Sequence, residues 1–217
     1  MEQRTAYVLS GGGSLGAVQV GMLQALTRAG FMPDMVVGAS VGALNGAFFA
    51  TDPSVEGTTR LAEVLCGLTR RDIFPLNLLA GLRALVLKRD HIVEADALRR
   101  LIRRALPVQT MDDARVALHI VATDALSGEE VVLSSGSLET ALLASTAIPV
   151  VFPHVRLEHR FLVDAGVSSN TPIATAVRLG ATRIIVLPTG TSCAATHPPH
   201  DMAALALHML SLLSMRQ

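Results

Sequence analysis

The chain has 217 residues, of which 50% are hydrophobic but only 3% are aromatic, and its formal net charge is zero. This length predicts one domain over residues 1–217, with a core packed by small and aliphatic side chains. Scarce aromatic rings and the lack of net positive charge argue against nucleic-acid binding, which uses base stacking and attraction to phosphates.

The first part of the chain alternates between apolar runs and helical patterns. Residues 6–10 predict a buried strand, and apolar side chains at helical spacing predict a helix after it. Residues 35–38 predict a second strand, which is followed by a second helix from residue 41. Between the first strand and its helix lies a loop with three consecutive glycines: Gly11, Gly12 and Gly13. The N–H groups of such a loop at a helix N-terminus can stabilise negative charge.

The segment from about 54 to 106 predicts a helical, basic insertion or lid within the domain. Nine of the 18 Lys and Arg residues of the chain fall between positions 70 and 104. Near its end, leucines and isoleucine form one face of a helix, and four arginines form the other. One interpretation is a solvated helix packed by its apolar stripe; the other is a peripheral contact with anionic lipid headgroups.

The remaining chain again alternates strands with helices. Strands are predicted at 116–123, 129–134, 161–166 and 182–190, and helices at about 137–145, 172–180 and 201–214. This alternation predicts the α/β class, as a three-layer α/β/α fold with a mostly parallel central sheet covered on both faces.

A G-x-S-x-G motif at residues 38–42 places Ser40 between an apolar strand and an apolar helix. This is the setting of a nucleophile elbow, in which the serine hydroxyl projects at the carboxyl end of the sheet. Gly38 and Gly42 remove side chains that would clash in so sharp a turn. The alternative is a tight connection in which Ser40 only caps the helix.

A serine hydroxyl needs a base to take its proton, and Asp164 is the candidate. It ends another predicted strand, and the carboxyl ends of parallel strands lie at the same side of a sheet. We therefore expect Asp164 within hydrogen-bond reach of Ser40, although Asp164 could instead be a loop cap. A Ser–His–Asp esterase is a further alternative, with its histidine among His197, His200 and His208.

The glycine loop allows two functions. Gly11, Gly13 and Gly16 fit the dinucleotide fingerprint G-x-G-x-x-G. The second strand, however, ends in Gly-Ala-Ser, where that fold has an acid for the ribose. An oxyanion hole formed by Gly11, Gly12 and Gly13 explains the loop and the elbow together. We therefore expect no cofactor, and a nucleotide-dependent oxidoreductase remains the weaker alternative.

Five motifs in order resemble the patatin-like phospholipase family, and together they cover most of the chain. They are GGGSLG (11–16), GASVG (38–42), ATDALSGEEVV (122–132), ASTAIPVVFP (144–153) and DAGVSSNTP (164–172). The resemblance implies a patatin-like fold and a serine acyl hydrolase without a catalytic histidine. It implies Ser40 as nucleophile, Asp164 as base, and the three-glycine loop as oxyanion hole.

Two positions depart from the family pattern. Leu15 stands where the family often has Arg or Lys, a cation that could hold a phosphate, and Ala165 replaces the second glycine of the common DGG. The resemblance therefore implies a lipid or acyl ester substrate without favouring a phospholipid. A non-catalytic lipid or acyl-group binder with the same fold is the alternative from another functional class.

The cysteines and the N-terminus bear on localisation. Cys66 and Cys193 are far apart and fit no metal spacing, so we expect reduced thiols and no metal site. The sequence predicts neither a secretory signal nor a membrane span. We expect a cytoplasmic protein, with any membrane contact peripheral.

Overall fold

A computed structural model describes residues 3–69 and 91–190 of the chain. The strands form one sheet and are β1 (Thr5–Leu9), β2 (Met35–Ala39), β3 (Ala117–Asp124), β4 (Glu130–Leu133), β5 (Val155–Leu157), β6 (Arg160–Val163) and β7 (Arg183–Leu187). The α-helices of the described ranges are α1 (Ala17–Arg28), α2 (Val41–Thr51), α3 (Val55–Gly67), α4 (Asp96–Ala105), α5 (Leu138–Ser145) and α6 (Ile173–Arg178).

The sheet divides into a parallel half and an antiparallel half. Its strand order is β5-β6-β3-β2-β1-β7, with β4 also paired to β3. Strands β7, β1, β2 and β3 run parallel and form the parallel half. Strands β4 and β6 run antiparallel to β3, and β5 runs antiparallel to β6; these three form the antiparallel half. The α/β class is confirmed, with a mixed sheet.

Apolar clusters cover both faces of the sheet. Tyr7 and Leu9 of β1 belong to a large cluster with apolar residues of α1 to α5. Ala6 and Val8 of the same strand belong to a smaller cluster, which includes Ala176 of α6. Because successive side chains of a strand point to opposite faces, the two clusters define the three layers of the fold.

Helices α3 and α4 are the described parts of the predicted basic insertion. On α4, Arg99 and Arg103 both form ion pairs with Glu139 of α5. Two of the four arginines of α4 therefore pair with another helix, and Arg100, Arg103 and Arg104 are exposed.

Several sequence predictions fall outside the described residues. They concern the basic residues Arg70, Arg71, Arg83, Lys88 and Arg89, the three candidate histidines His197, His200 and His208, Cys193, and the last predicted helix. Within the described ranges, every helix is too short or too polar to cross a bilayer. The same ranges contain no cluster of three His, Cys, Asp or Glu side chains arranged for a metal ion.

Candidate active site

Ser40 occupies a strained turn between β2 and α2. Its backbone has φ 51° and ψ −122°, a conformation that residues with a side chain rarely adopt. Ser40 is the N-cap residue of α2, but its side chain makes no capping hydrogen bond. The hydroxyl is therefore available for another partner, as a nucleophile elbow requires and a simple helix cap does not.

The two glycines of the motif allow close packing around this turn. A Cβ atom on Gly38 would lie 2.6 Å from the Cα atom of Ala43, and one on Gly42 would lie 2.3 Å from the Leu9 carbonyl oxygen. Both distances are far shorter than a carbon contact allows, so a larger residue at either place would push α2 away from the sheet. The packing of α2 on β1 and β2 thus holds the turn in its strained conformation.

Asp164 lies directly beside Ser40. The Ser40 hydroxyl donates a hydrogen bond to Asp164 Oδ2 at 2.7 Å. The other carboxylate oxygen, Oδ1, accepts the Gly166 N–H at 2.7 Å. The backbone of Asp164 is also held on both sides, because its N–H donates to Ala147 O at 2.9 Å and its carbonyl accepts the Thr123 hydroxyl at 2.9 Å.

The strand register explains why Ser40 and Asp164 meet. Strand β2 pairs with β3 up to Ala39 opposite Val121, and β6 pairs with β3 down to Val163 opposite Thr123. Strand β4 pairs with β3 across this same range and occupies its other edge. Strands β2 and β6 therefore share one edge of β3 and approach each other from opposite directions. Ser40 follows the end of β2 and Asp164 follows the end of β6, so both residues lie beside Ala122 of β3.

The expectation that Asp164 follows a parallel strand is wrong. Strand β6 runs antiparallel to β3, and its end faces the end of β2 rather than lying beside it. Ser40 and Asp164 are nevertheless close, as predicted. The last residues of β2 and β6 pair with Val121 and Thr123 of β3, so the two strand ends are separated along β3 only by Ala122.

Burial makes the Asp164 carboxylate a stronger base than an ordinary aspartate. The side chain is buried, and this desolvation raises its pKa from 3.8 to about 6, against the lowering effect of the hydrogen bonds from Ser40 and Gly166. A general base works best when its pKa is near the working pH. Asp164 is thus tuned in the direction that proton abstraction from a serine needs.

The glycine loop lies against the elbow, but its three N–H groups differ. A Cβ atom on Gly11 would lie 3.3 Å from the Ser40 Cβ atom, which places the loop beside the hydroxyl. The Gly11 N–H already donates to the Asn170 carbonyl at 2.9 Å. In the described part of the chain, the N–H groups of Gly12 and Gly13 donate to no other residue. Gly12 and Gly13 are therefore the better candidates for oxyanion donors.

The structure adds Ser145 to the site. The Ser145 hydroxyl is fully buried and accepts the Ser40 N–H at 2.9 Å. Two residues later, Ala147 O accepts the Asp164 N–H, so the end of α5 holds both members of the pair. The ASTAIP segment was part of the family resemblance, but nothing in its local pattern indicates which of its hydroxyls faces the elbow.

Comparison with known proteins identifies the family. The family model of patatin-like phospholipases matches residues 7–177, which include the glycine loop, Ser40 and Asp164. The chain belongs to the patatin-like phospholipase family, as the five sequence motifs indicate.

Curated relatives agree with this assignment. An uncharacterized NTE family protein of Mycobacterium tuberculosis is 31% identical over 172 residues, which are 79% of this chain and 45% of that protein. Neuropathy target esterase sws of Drosophila melanogaster is 27% identical over 84% of this chain and 13% of its own length. The chain thus spans less than half the length of these relatives.

Among solved structures, VipD from Legionella pneumophila matches 87% of this chain and 50% of its own, with a TM-score of 0.60 and 17% identity. This likeness shows a shared fold.

Proposed function

We propose that this chain is a lipid acyl hydrolase that cleaves carboxylic esters through Ser40 and Asp164. Membership of the patatin-like phospholipase family and the similarity to an esterase support lipid hydrolase activity in general. The observation that carries the finer proposal is the 2.7 Å hydrogen bond from the Ser40 hydroxyl to a buried carboxylate at a strained strand-to-helix turn.

In the first half of the reaction, the Ser40 oxygen attacks the ester carbonyl carbon while its proton passes to Asp164 Oδ2. The carbonyl electron pair moves to the oxygen, and the resulting oxyanion accepts hydrogen bonds from the Gly12 and Gly13 N–H groups. Preorganised donors of this kind contribute roughly 3 kcal/mol each to transition-state stabilisation. The intermediate then expels the alcohol, which leaves with the proton from Asp164, and the acyl group stays on Ser40.

In the second half, a water molecule attacks the acyl-enzyme while Asp164 takes one of its protons. The new tetrahedral intermediate expels the Ser40 oxygen, which regains the proton held by Asp164, and the fatty acid is released. The direct contact between Ser40 and Asp164 leaves no space for an imidazole between them. This contact favours the Ser–Asp dyad over the Ser–His–Asp esterase.

Hydrolysis of a fatty acyl p-nitrophenyl ester and labelling by a fluorophosphonate probe test the proposal. The wild-type chain is expected to hydrolyse the ester and to be labelled, and Ser40→Ala to do neither. Ser127→Ala, at an exposed turn between β3 and β4, is the matched control and should behave as wild type. A folded wild-type chain with no turnover and no labelling would instead support a non-catalytic lipid binder.

A second experiment separates the dyad from a triad. His197→Ala, His200→Ala and His208→Ala are each expected to retain hydrolysis. Loss of activity in any one folded histidine variant, to the level of Ser40→Ala, would favour the triad.

The glycine loop bears on the substrate class. Leu15, in the short helical turn that follows the glycines, is 45% exposed and contributes an apolar side chain where a cation would favour a phosphate group. Carboxylesterase, lysophospholipase and phospholipase A substrates are all candidates, and among them we infer a preference for neutral acyl esters over the phosphate-bearing lysophospholipids and phospholipids. A panel of esters with matched acyl chains tests this; faster turnover of the phosphate-bearing members would contradict it.

A peripheral membrane contact through α4 is a separate proposal. Arg100 and Arg104 are exposed, whereas Arg99 and Arg103 bind Glu139, so only part of the arginine face is available to anionic lipid. Sedimentation with anionic vesicles should decrease in an Arg100→Ala, Arg104→Ala double variant and not in Arg28→Ala. Equal sedimentation with anionic and neutral vesicles would refute the contact.

A further inference from the structure

Two buried amide side chains, Gln19 on α1 and Asn45 on α2, lie against the ends of the glycine loop. Gln19 is fully buried and Asn45 is 1% exposed. A buried polar side chain is unfavourable unless hydrogen bonds replace those it made to water. The hydrogen-bond partners of these two amides therefore indicate which part of the chain the amides hold in place.

The two amides bond both ends of the loop and each other. Gln19 Nε2 donates to Ser10 O at 2.8 Å and to Leu187 O at 2.9 Å. Asn45 Nδ2 donates to Gln19 Oε1 and to Gly16 O, both at 2.9 Å. Ser10 immediately precedes the three glycines and Gly16 ends the short helical turn after them, so one connected pair fixes the loop at its entry and its exit.

The same pair links the loop to the nucleophile. Asn45 lies on α2, the helix that starts directly after Ser40, and the N–H groups of Ala43 and Leu44 on this helix donate to Ser40 O. We propose that Gln19 and Asn45 are positioning residues that hold the Gly12 and Gly13 N–H groups at the distance from Ser40 that oxyanion stabilisation needs. This inference rests on the proposed hydrolase function.

A neighbouring contact supports the loop from its other side. The Thr189 hydroxyl donates to Gly11 O at 2.8 Å, and the Thr189 N–H donates to the Ser10 hydroxyl at 3.0 Å. These contacts hold the first glycine. Only the amide pair connects the loop to α2 by hydrogen bonds within the described residues. Because oxyanion donors act through preorganised geometry, loss of this connection should weaken transition-state binding more than ground-state binding.

The test compares Gln19→Met and Asn45→Leu with the wild-type chain on a p-nitrophenyl ester. We expect kcat to fall about 10- to 100-fold, below the full loss of an oxyanion donor, while KM changes by less than about threefold. A trifluoromethyl ketone, which forms a tetrahedral adduct with the serine, gives the specific measurement. Its inhibition constant should rise by the factor by which kcat/KM falls.

Gln24→Met is the matched control, because Gln24 also lies on α1 but donates to Thr58 O at 3.4 Å, away from the loop. It should leave kcat and the inhibition constant unchanged. Folded Gln19→Met with wild-type kcat, or with reduced kcat/KM and an unchanged inhibition constant, would overturn the inference. If that variant does not fold, Asn45→Ser is judged by the same criteria. An inactive wild-type chain would instead refute the proposed function.

Discussion

The parallel and antiparallel halves of the sheet contribute to the candidate site in different ways. Strands β1 and β2 are buried almost throughout, and the turns that follow them carry the glycine loop and Ser40. Strands β5 and β6 are short and mostly exposed or half-buried, and the register of β6 on β3 brings Asp164 to the site. Local sequence thus sets the shape of the turn at Ser40, whereas strand pairing sets the position of Asp164.

Removal of the Asp164 carboxylate should give the largest effect and tests whether the antiparallel half is needed for chemistry. Asp164→Asn keeps the shape of the side chain but cannot accept the serine proton, so kcat/KM should fall about 10²- to 10⁴-fold. The free energy of unfolding at pH 7 should rise, because a neutral amide avoids the burial of a charge. Ester hydrolysis and urea unfolding measure the two effects. Asp124→Asn, which changes another carboxylate near this strand pair, is the control, and equal activities of the two variants would remove Asp164 from the mechanism.

The pH dependence should sharpen the role of Asp164 as the base. Because its native pKa is about 6, kcat/KM should increase with pH and reach half of its maximum near pH 6. The native state holds this proton more tightly than the unfolded chain, whose carboxyl pKa is 3.8. Asp164 therefore makes its full contribution to the free energy of unfolding, roughly 3 kcal/mol, below about pH 4. This contribution is lost as the pH rises through about 6.

Urea unfolding of wild type and Asp164→Asn between pH 4 and pH 7 isolates this contribution, since other titrating groups cancel in the difference. The wild-type chain should lose stability relative to the variant over this interval. If the difference in unfolding free energy between wild type and Asp164→Asn does not change with pH, the carboxylate is solvated rather than buried. A midpoint of activity near pH 4 would show the same.

Ser145 holds the backbone of Ser40, and loss of its hydroxyl should have a moderate effect. Ser145→Ala leaves the Ser40 N–H without its acceptor, which costs about 1–3 kcal/mol for a buried donor, and should reduce kcat/KM about 10-fold. Thr146→Val is the control, because the Thr146 hydroxyl bonds Leu142 O within the same turn and does not contact the pair. Equal losses in both variants would mean that the effect is one of general packing.

The last prediction concerns strain in the parallel half and involves stability alone, with no expected difference in activity. Ser40→Gly should be more stable than Ser40→Ala by about 1–3 kcal/mol, because only glycine adopts the backbone conformation of residue 40 without strain. Both variants lack the hydroxyl, so urea unfolding compares the backbone alone. As a control, Ala62→Gly in the middle of α3 should lower the free energy of unfolding by about 1 kcal/mol, because glycine disfavours a helix interior. Equal stabilities of the two Ser40 variants would mean that the turn is unstrained.

The parts of the site that depend on residues adjacent in sequence could be predicted from the sequence. The motif at 38–42 indicates a strand-to-helix turn, and the structure places Ser40 there with a positive φ. The fold class and the family followed from the order of apolar runs and motifs, and both are confirmed. The assignments of Ser40 and Asp164 to catalysis remain proposals that the experiments above test.

Other features could not be read from local pattern. The direction of β6 depends on pairing with β3, and a short apolar run has the same pattern in either direction. The donation of the Gly11 N–H to Asn170 O joins residues that are far apart in sequence. The pairing of Arg99 and Arg103 with Glu139 likewise converted part of a face expected to be exposed into a helix contact.

The sequence by itself determined the glycine-lined turn, the buried central strands and the family, because each depends on residue types at fixed short spacing. Only the tertiary structure decided that β2 and β6 stop on either side of Ala122 along one edge of β3. That arrangement comes from backbone pairing between distant segments, and backbone hydrogen bonds are the same for every residue type except proline. The distance between hydroxyl and carboxylate is therefore a property of the fold, not of either motif.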